Sequence, residues 1–264
     1  MEDPALAVFL VLIAAAFLAG FVDSIAGGGG LITVPALLLA GLPPITALGT
    51  NKLQSLFGSG SATLSYARGG HVDLTTQLPA AGLSFAGAVA GAYLASVLPA
   101  EALRLALPVM LVAIAIYFLI RKDLNDEDRH RRISPLAFTM TLVPAIGFYD
   151  GVFGPGTGSF FMLAFVTLAG YGMLKATAHT KLLNFASNVG GFAAFAVLGA
   201  VAWKIGIAMG MAQFLGAQFG SRLAMRRGAR LIRPLLVATC VALAVRLFAD
   251  DTYPFQIWRA IFPS

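Results

Sequence analysis

Lys52 and Lys181 each stand well inside an apolar segment, surrounded by groups able to hydrogen-bond an oxyanion. Thr50, Asn51, Gln54 and Ser55 flank the first lysine; His179, Thr180, Asn184 and Asn188 flank the second. At helical spacing Lys52 shares a face with Ser55, and Lys181 with Asn184 and Asn188. A cation beside amide and hydroxyl donors suits a small anion better than a metal ion. An ionisable group at membrane depth is costly enough to read as functional by default; snorkelling to the nearer interface is the alternative. Asp23 and Asp150 are the acids that accompany the lysines. They can cap helices, carry protons or pair with the lysines, and a pair formed in the empty state would let an arriving anion displace the carboxylate. His179 is of the residue type that titrates near neutral pH, but no histidine or cysteine stands at metal spacing from it.

Each aspartate precedes a glycine-rich stretch: Gly27-Gly28-Gly29-Gly30 after Asp23, and Gly154-Pro155-Gly156-Thr157-Gly158 after Asp150. A glycine turn feeding a helix N-terminus presents backbone N–H groups and the positive end of the helix dipole, which together favour an anion. Gly29, Gly30, Thr157 and Gly158 are the expected contacts. Close packing through small residues, without a ligand, is the competing account. The Gly-Lys-Ser/Thr ending of a phosphate loop is absent.

These residues recur because the chain contains itself twice. Phe21-Val22-Asp23 returns as Phe148-Tyr149-Asp150 at an offset of 127, and Asn51-Lys52-Leu53 as Thr180-Lys181-Leu182 at an offset of 129. The second offset also carries Gly87 onto Gly216 and Gly91 onto Gly220, two GxxxG patterns expected to mark close helix contact. With 58% hydrophobic residues and 11% charged, against about 25% charged in soluble chains, the composition is that of a membrane protein. Uncharged stretches such as 74–100 and 182–202 are long enough to span as helices, and the alternation of a β-barrel is missing. The expected fold is all-α: a polytopic helical membrane protein of two inverted repeats, about five hydrophobic segments each.

Those segments are 5–22, 31–42, 46–67, 74–98, 102–120, 136–150, 157–172, 175–200, 203–224 and 233–249. The domain reading is a first repeat over 5–120, a linker over 121–135, a second repeat over 136–249 and a tail over 250–264. Segments 31–42, 136–150 and 157–172 are short for full spans, so 5–42 and 136–172 are expected to be broken or re-entrant hairpins with glycine tips. Basic residues concentrate in the linker and in Arg222, Arg226, Arg227, Arg230 and Arg233. The positive-inside rule makes both clusters cytoplasmic, which puts the N- and C-termini in the periplasm and inverts the second half. The net charge of +6 lies in these loops, not along a face, so nucleic acid is not an expected partner. The acidic start Met1-Glu2-Asp3-Pro4 lacks the basic region of a signal peptide, so the first segment is expected to be retained. Cys240 reads as a packed small residue.

The paired motifs, an F-x-D followed by four glycines with a T-N-K helix, then a second F-x-D with G-x-G-T-G and T-K, resemble the sulfite exporter (TauE/SafE) family of bacterial membrane transporters. The resemblance runs over about residues 8–249. It implies the bacterial inner membrane and a substrate such as sulfite or a small organosulfonate, for example sulfoacetate. The second half departs from the first in Gly-Pro-Gly-Thr-Gly and in His179-Thr180, so the half-sites are unequal.

The resulting expectation is a secondary transporter that moves a small anion by alternating access, with Lys52 and Lys181 neutralising it. No cofactor, metal or catalytic group is called for, and the chain is not read as an enzyme. An anion channel remains an alternative, a scaffold subunit a weaker one. Coupling to a proton or ion gradient and assembly into a homo-oligomer stay open.

Overall fold

The computed structural model describes residues 4–97 and 125–232, with positions 120, 234, 235, 237, 238 and 241 beside them. Most of the segments 102–120 and 233–249, with residues 121–124, Cys240 and the tail 250–264, lie outside the described residues. All regular structure among the described residues is helical.

The first half gives α1 (Pro4–Ala26), α2 (Gly30–Leu39), α3 (Pro44–Arg68) and α4 (Leu78–Ala95). The second gives α5 (Val143–Val152), entered through a short turn of helix at Pro135–Ala137 and a π-helical turn at Phe138–Leu142. α6 (Thr157–Ala164) runs on into a second π-helical turn, Phe165–Ala169, and α7 (Met173–Val197) and α8 (Trp203–Arg227) follow. Proline opens α3 and stands in the first turn of α4, where its missing N–H costs nothing; Pro144 of α5 follows directly on the π-helical turn. Both expected interruptions are present, at Gly27–Gly29 and at Phe153–Gly156. Gly27, Gly28, Gly154 and Gly156 all have positive φ, which only glycine adopts cheaply. α3 and α7 both contain 25 residues and start and stop at equivalent positions of the repeat.

The halves exchange partners. α1 packs along α8, and its counterpart α5 packs along α4. The GxxxG glycines make both contacts: a Cβ on Gly216 or Gly220 would collide with the carbonyls of Phe17 or Phe21, and one on Gly87 or Gly91 with those of Pro144 or Phe148. α3 and α7 meet at the centre and run antiparallel. Gly49 at the start of α3 abuts Phe195 and Ala200, Lys52 lies beside Gly191, and Gly60 faces Phe185.

Side-chain burial is inverted relative to a soluble protein. Asn51, Lys52, Gln54, Asp150, Lys181 and Asn188 are buried, while Leu10, Leu18, Leu39, Met211 and Phe219 are exposed. That distribution fits an apolar solvent. Among the described helices, α1 over Leu6–Ala26 and α4 are long and apolar enough to cross a membrane; Gly30–Leu39 and Thr157–Ala169 are shorter apolar helices.

The linker is not a free loop. Asp126 accepts from the N–H of Leu174 at the start of α7 and from that of Ala229 just past α8. Asp128 accepts from Gly172 N–H and pairs with Lys175. Burial works to raise the Asp128 pKa, but the hydrogen bonds from Lys175 and Gly172 outweigh it and hold the carboxyl below its usual value. The linker and the segment following α8 therefore lie on one face, as does the α3–α4 turn, where Gly69 abuts Met225.

Substituting Gly87 by Ala should overpack the α4–α5 contact and cost roughly 1–3 kcal/mol. Gly82→Ala, where an added Cβ meets nothing within 4 Å, should be neutral or slightly stabilising. Thermal melts of the purified variants check the pair.

Candidate functional site

Two ion pairs sit at the centre, and each is made between the halves. Lys181 on α7 donates to Asp23 Oδ2 on α1 at 3.0 Å, and Lys52 on α3 lies 2.8 Å from Asp150 Oδ1 on α5. Lys52 is 1% and Lys181 0% exposed, so neither snorkels. The antiparallel crossing of α3 and α7 sets the lysines here, and the partner exchange of α1 and α5 brings the acids to them. Moving one such ion from water to a dry interior costs several kcal/mol even after relaxation. The attraction of a close pair contributes about 5–6 kcal/mol at the effective dielectric of proteins, which the desolvation of two ions at least offsets, so each pair depends on the hydrogen bonds around it.

Those surroundings are the glycine tips. Gly29 N–H donates to Asp23 Oδ1 at 3.0 Å, and the Thr157 hydroxyl donates to Asp150 Oδ1 at 2.6 Å. Gly29 caps α2 and Thr157 opens α6, so each carboxylate takes the place of an anion at a helix start. The tips touch backbone to backbone: a Cβ on Gly27 would lie 2.6 Å from the Gly158 carbonyl carbon. A cavity of about 10 Å³ remains between them, room for one water-sized body.

Asp23, Gly29, Gly30, Asn51, Asp150, Thr157, Gly158, Asn184 and Asn188, all candidates from sequence, line this cavity. Gly28, Ser55, Gly154 and Gly156 complete it. The lysines stand behind their carboxylates. Thr50 points away, accepting from Ala202 N–H at 2.9 Å. Thr180 is buried with its hydroxyl unpartnered. His179 sits apart, its ring packed on Phe165 and Tyr171 at centroid distances of 5.6 and 4.9 Å. Three supporting residues were not singled out from sequence. Thr33 donates to Asn51 Oδ1 at 2.7 Å, fixing that amide with Gln54. The Tyr66 hydroxyl donates to Ser24 O at 2.8 Å, bracing α1 beside the tip. Gln213 is buried against Gly20 and Gly58. A polar residue inside an apolar segment is the only signal they carried.

The half-sites differ. Both oxygens of Asp23 are engaged, whereas Asp150 takes both contacts on Oδ1 and leaves Oδ2 buried without a hydrogen-bond donor. On the α7 side Asn188 donates to Asn184 Oδ1 at 3.0 Å; the equivalent α3 positions are Ser55 and Ser59.

Lys181→Met should leave Asp23 buried without its cation and cost roughly 3–5 kcal/mol. Adding Asp23→Leu should recover much of that loss, because no lone charge remains. A double-mutant cycle by chemical denaturation reads the difference.

Known proteins resemble this chain over nearly its whole length. The sulfite exporter TauE/SafE family profile matches residues 12–247. A probable membrane transporter from Sinorhizobium, ORF9, is 64% identical over 98% of this chain and 99% of its own length. The probable membrane transporter YfcA of Escherichia coli K12 is 48% identical over 91% and 90%. YdhB of Bacillus subtilis, named likewise, is 28% identical over 81% and 88%. No solved structure matches. With a family match over nearly its whole length and relatives named as probable membrane transporters, the chain belongs to the sulfite exporter TauE/SafE family and is a membrane transporter.

Proposed function

We propose that the protein is a secondary transporter for a small oxyanion, sulfite or a small organosulfonate, in the bacterial inner membrane. The observation that carries this is the pair of crossed Lys–Asp contacts around a cavity with room for one water-sized body. Each carboxylate is held by an ammonium and a tip donor, the set an oxyanion would use. Lysines and aspartates balance, so an anion entering the closed site must displace a carboxylate from its lysine. The small cavity supports an occluded state over an open pore.

The running directions of the helices support alternating access between inverted halves. The equivalent helices α3 and α7 are antiparallel, and the symmetric contacts of α1 with α8 and of α5 with α4 cross between the halves. Rocking one half against the other would expose the pairs to either side in turn. The shared face of the linker and the segment after α8 supports the cytoplasmic placement of both basic clusters, with periplasmic termini.

The two acids are held unequally. Asp150 Oδ2 has no donor, and loss of Lys52 to an anion would leave this carboxylate buried without its cation. The groups facing it are Lys52 from α3 and the Thr157 hydroxyl from α6, with Asp23 lining the same cavity.

Sulfite, sulfoacetate and acetate should be compared as stabilisers of the purified protein in thermal shift. A ligand at 100 times its Kd contributes about 2.7 kcal/mol, and Lys52→Ala and Lys181→Ala should each lose that response. Equal stabilisation of wild type and both variants would remove the lysines from the site. In proteoliposomes the pH dependence of transport by Asp23→Asn and Asp150→Asn tests coupling to a proton; unchanged pH dependence in both would remove these acids from it.

A further inference from the structure

A second cavity, of about 60 Å³, lies on the linker face. Arg131 stands at its rim with Gln77 and Thr139, and Phe138, Phe165, Tyr171 and Val143 form its walls. Leu183 reaches it from α7, and the next residue, Asn184, lines the ion-pair cavity. α7 thus borders both spaces, this one through Leu183 and the central one through Asn184 and Asn188, and Arg131 of the linker borders this one.

The repeat shows that this space is particular to one face. At offsets of 127 and 129, Thr139, Val143, Ala80 and Tyr171 correspond to Leu12, Ala16, Met209 and Leu42. All four counterparts belong to a single packed aliphatic cluster, with Leu12 3% and Met209 0% exposed. The filled cluster has Leu12 and Met209 where the cavity has Thr139 and Ala80, while Val143 and Tyr171 are larger than their counterparts Ala16 and Leu42.

The backbone differs in the same place. Both π-helical turns contribute to the cavity, Phe138 and Thr139 from one, Phe165 and Ala169 from the other. The counterparts of Phe138–Leu142 lie within regular α1. The offset grows from 127 to 129 between the starts of α6 and α7, the interval that contains the second π-helical turn. π-helical turns arise where a residue is inserted into a helix, and they concentrate at functional sites.

We infer that this cavity is an anion-selective antechamber on the linker face, which takes the small oxyanion on its way to or from the paired lysines. The rim supplies a guanidinium suited to a sulfonate or sulfite group, and the aromatic walls accommodate a short apolar portion. The inference rests on the transporter reading of the central site.

The test uses Thr139→Cys in a Cys240→Ala background, with Leu12→Cys as the counterpart control, in membrane vesicles of both orientations. Two membrane-impermeant methanethiosulfonates of similar size, one ending in a sulfonate and one in a trimethylammonium, are the probes. The sulfonate reagent should modify Thr139→Cys from the linker face faster than the cationic one, by on the order of tenfold given a focused local charge. Arg131→Gln should erase that preference, Arg131→Lys should keep part of it, and sulfoacetate should slow the reaction. Leu12→Cys should stay unmodified in the same membranes. Gln77→Cys serves as a second position if Thr139→Cys fails to fold. Absence of modification at both positions, or equal rates for the two reagents with Arg131 present, would overturn the antechamber. A charge preference that persists while no anion is transported would overturn the transport reading instead and leave an anion-binding cavity.

Discussion

Four ionisable side chains lie at the centre of a helical bundle whose outer surface is apolar, and their mutual neutralisation constrains everything around them. Among the described residues neither lysine has an acid of its own half within ion-pair distance; each pairs with the other half's aspartate. The halves therefore cannot separate at this level without stranding buried charge, although the attraction within a pair only roughly offsets the desolvation of its two ions.

The glycine tips make that balance workable. Positive φ at Gly27, Gly28, Gly154 and Gly156 turns the chain sharply between two helices, and the lack of side chains lets the two tips meet backbone to backbone. A larger residue at either tip would push the aspartates away from the lysines and open the space to water, raising the local dielectric and weakening both pairs. The small cavity is thus a consequence of close packing as much as of polarity. The GxxxG contacts serve the same end further out, holding α1 to α8 and α5 to α4 closely enough that each acid reaches across.

The pseudo-symmetry is not complete. The ion pairs, tips and helix contacts repeat with few changes. The Asn184–Asn188 amides against Ser55 and Ser59, the free oxygen of Asp150, and the π-helical turns do not. Differences of this kind make the two half-sites chemically unequal.

Much of this was legible in the chain itself. Composition dictated a helical membrane protein because no soluble core can absorb so few charges. The repeat fixed which residues are equivalent, and glycine runs beside an aspartate located the helix breaks, since only glycine turns the backbone that way. GxxxG spacing marked the close helix contacts. The pairing was not legible: Asp23 and Lys181 are far apart in sequence, and local pattern alone does not say that the acids cross between halves. Nor does it say that the lysines stand behind their carboxylates, that Thr50 caps a neighbouring turn, or that His179 faces aromatic rings away from the cavity. Thr33 and Tyr66 gave only the weak signal of a polar group in an apolar segment, because a hydroxyl in an apolar helix takes its meaning from whichever backbone or amide the packing brings to it. Local residue types and spacing set the elements and their breaks; the antiparallel crossing of α3 and α7 decided which charges meet, because that contact exists only once both halves have folded together.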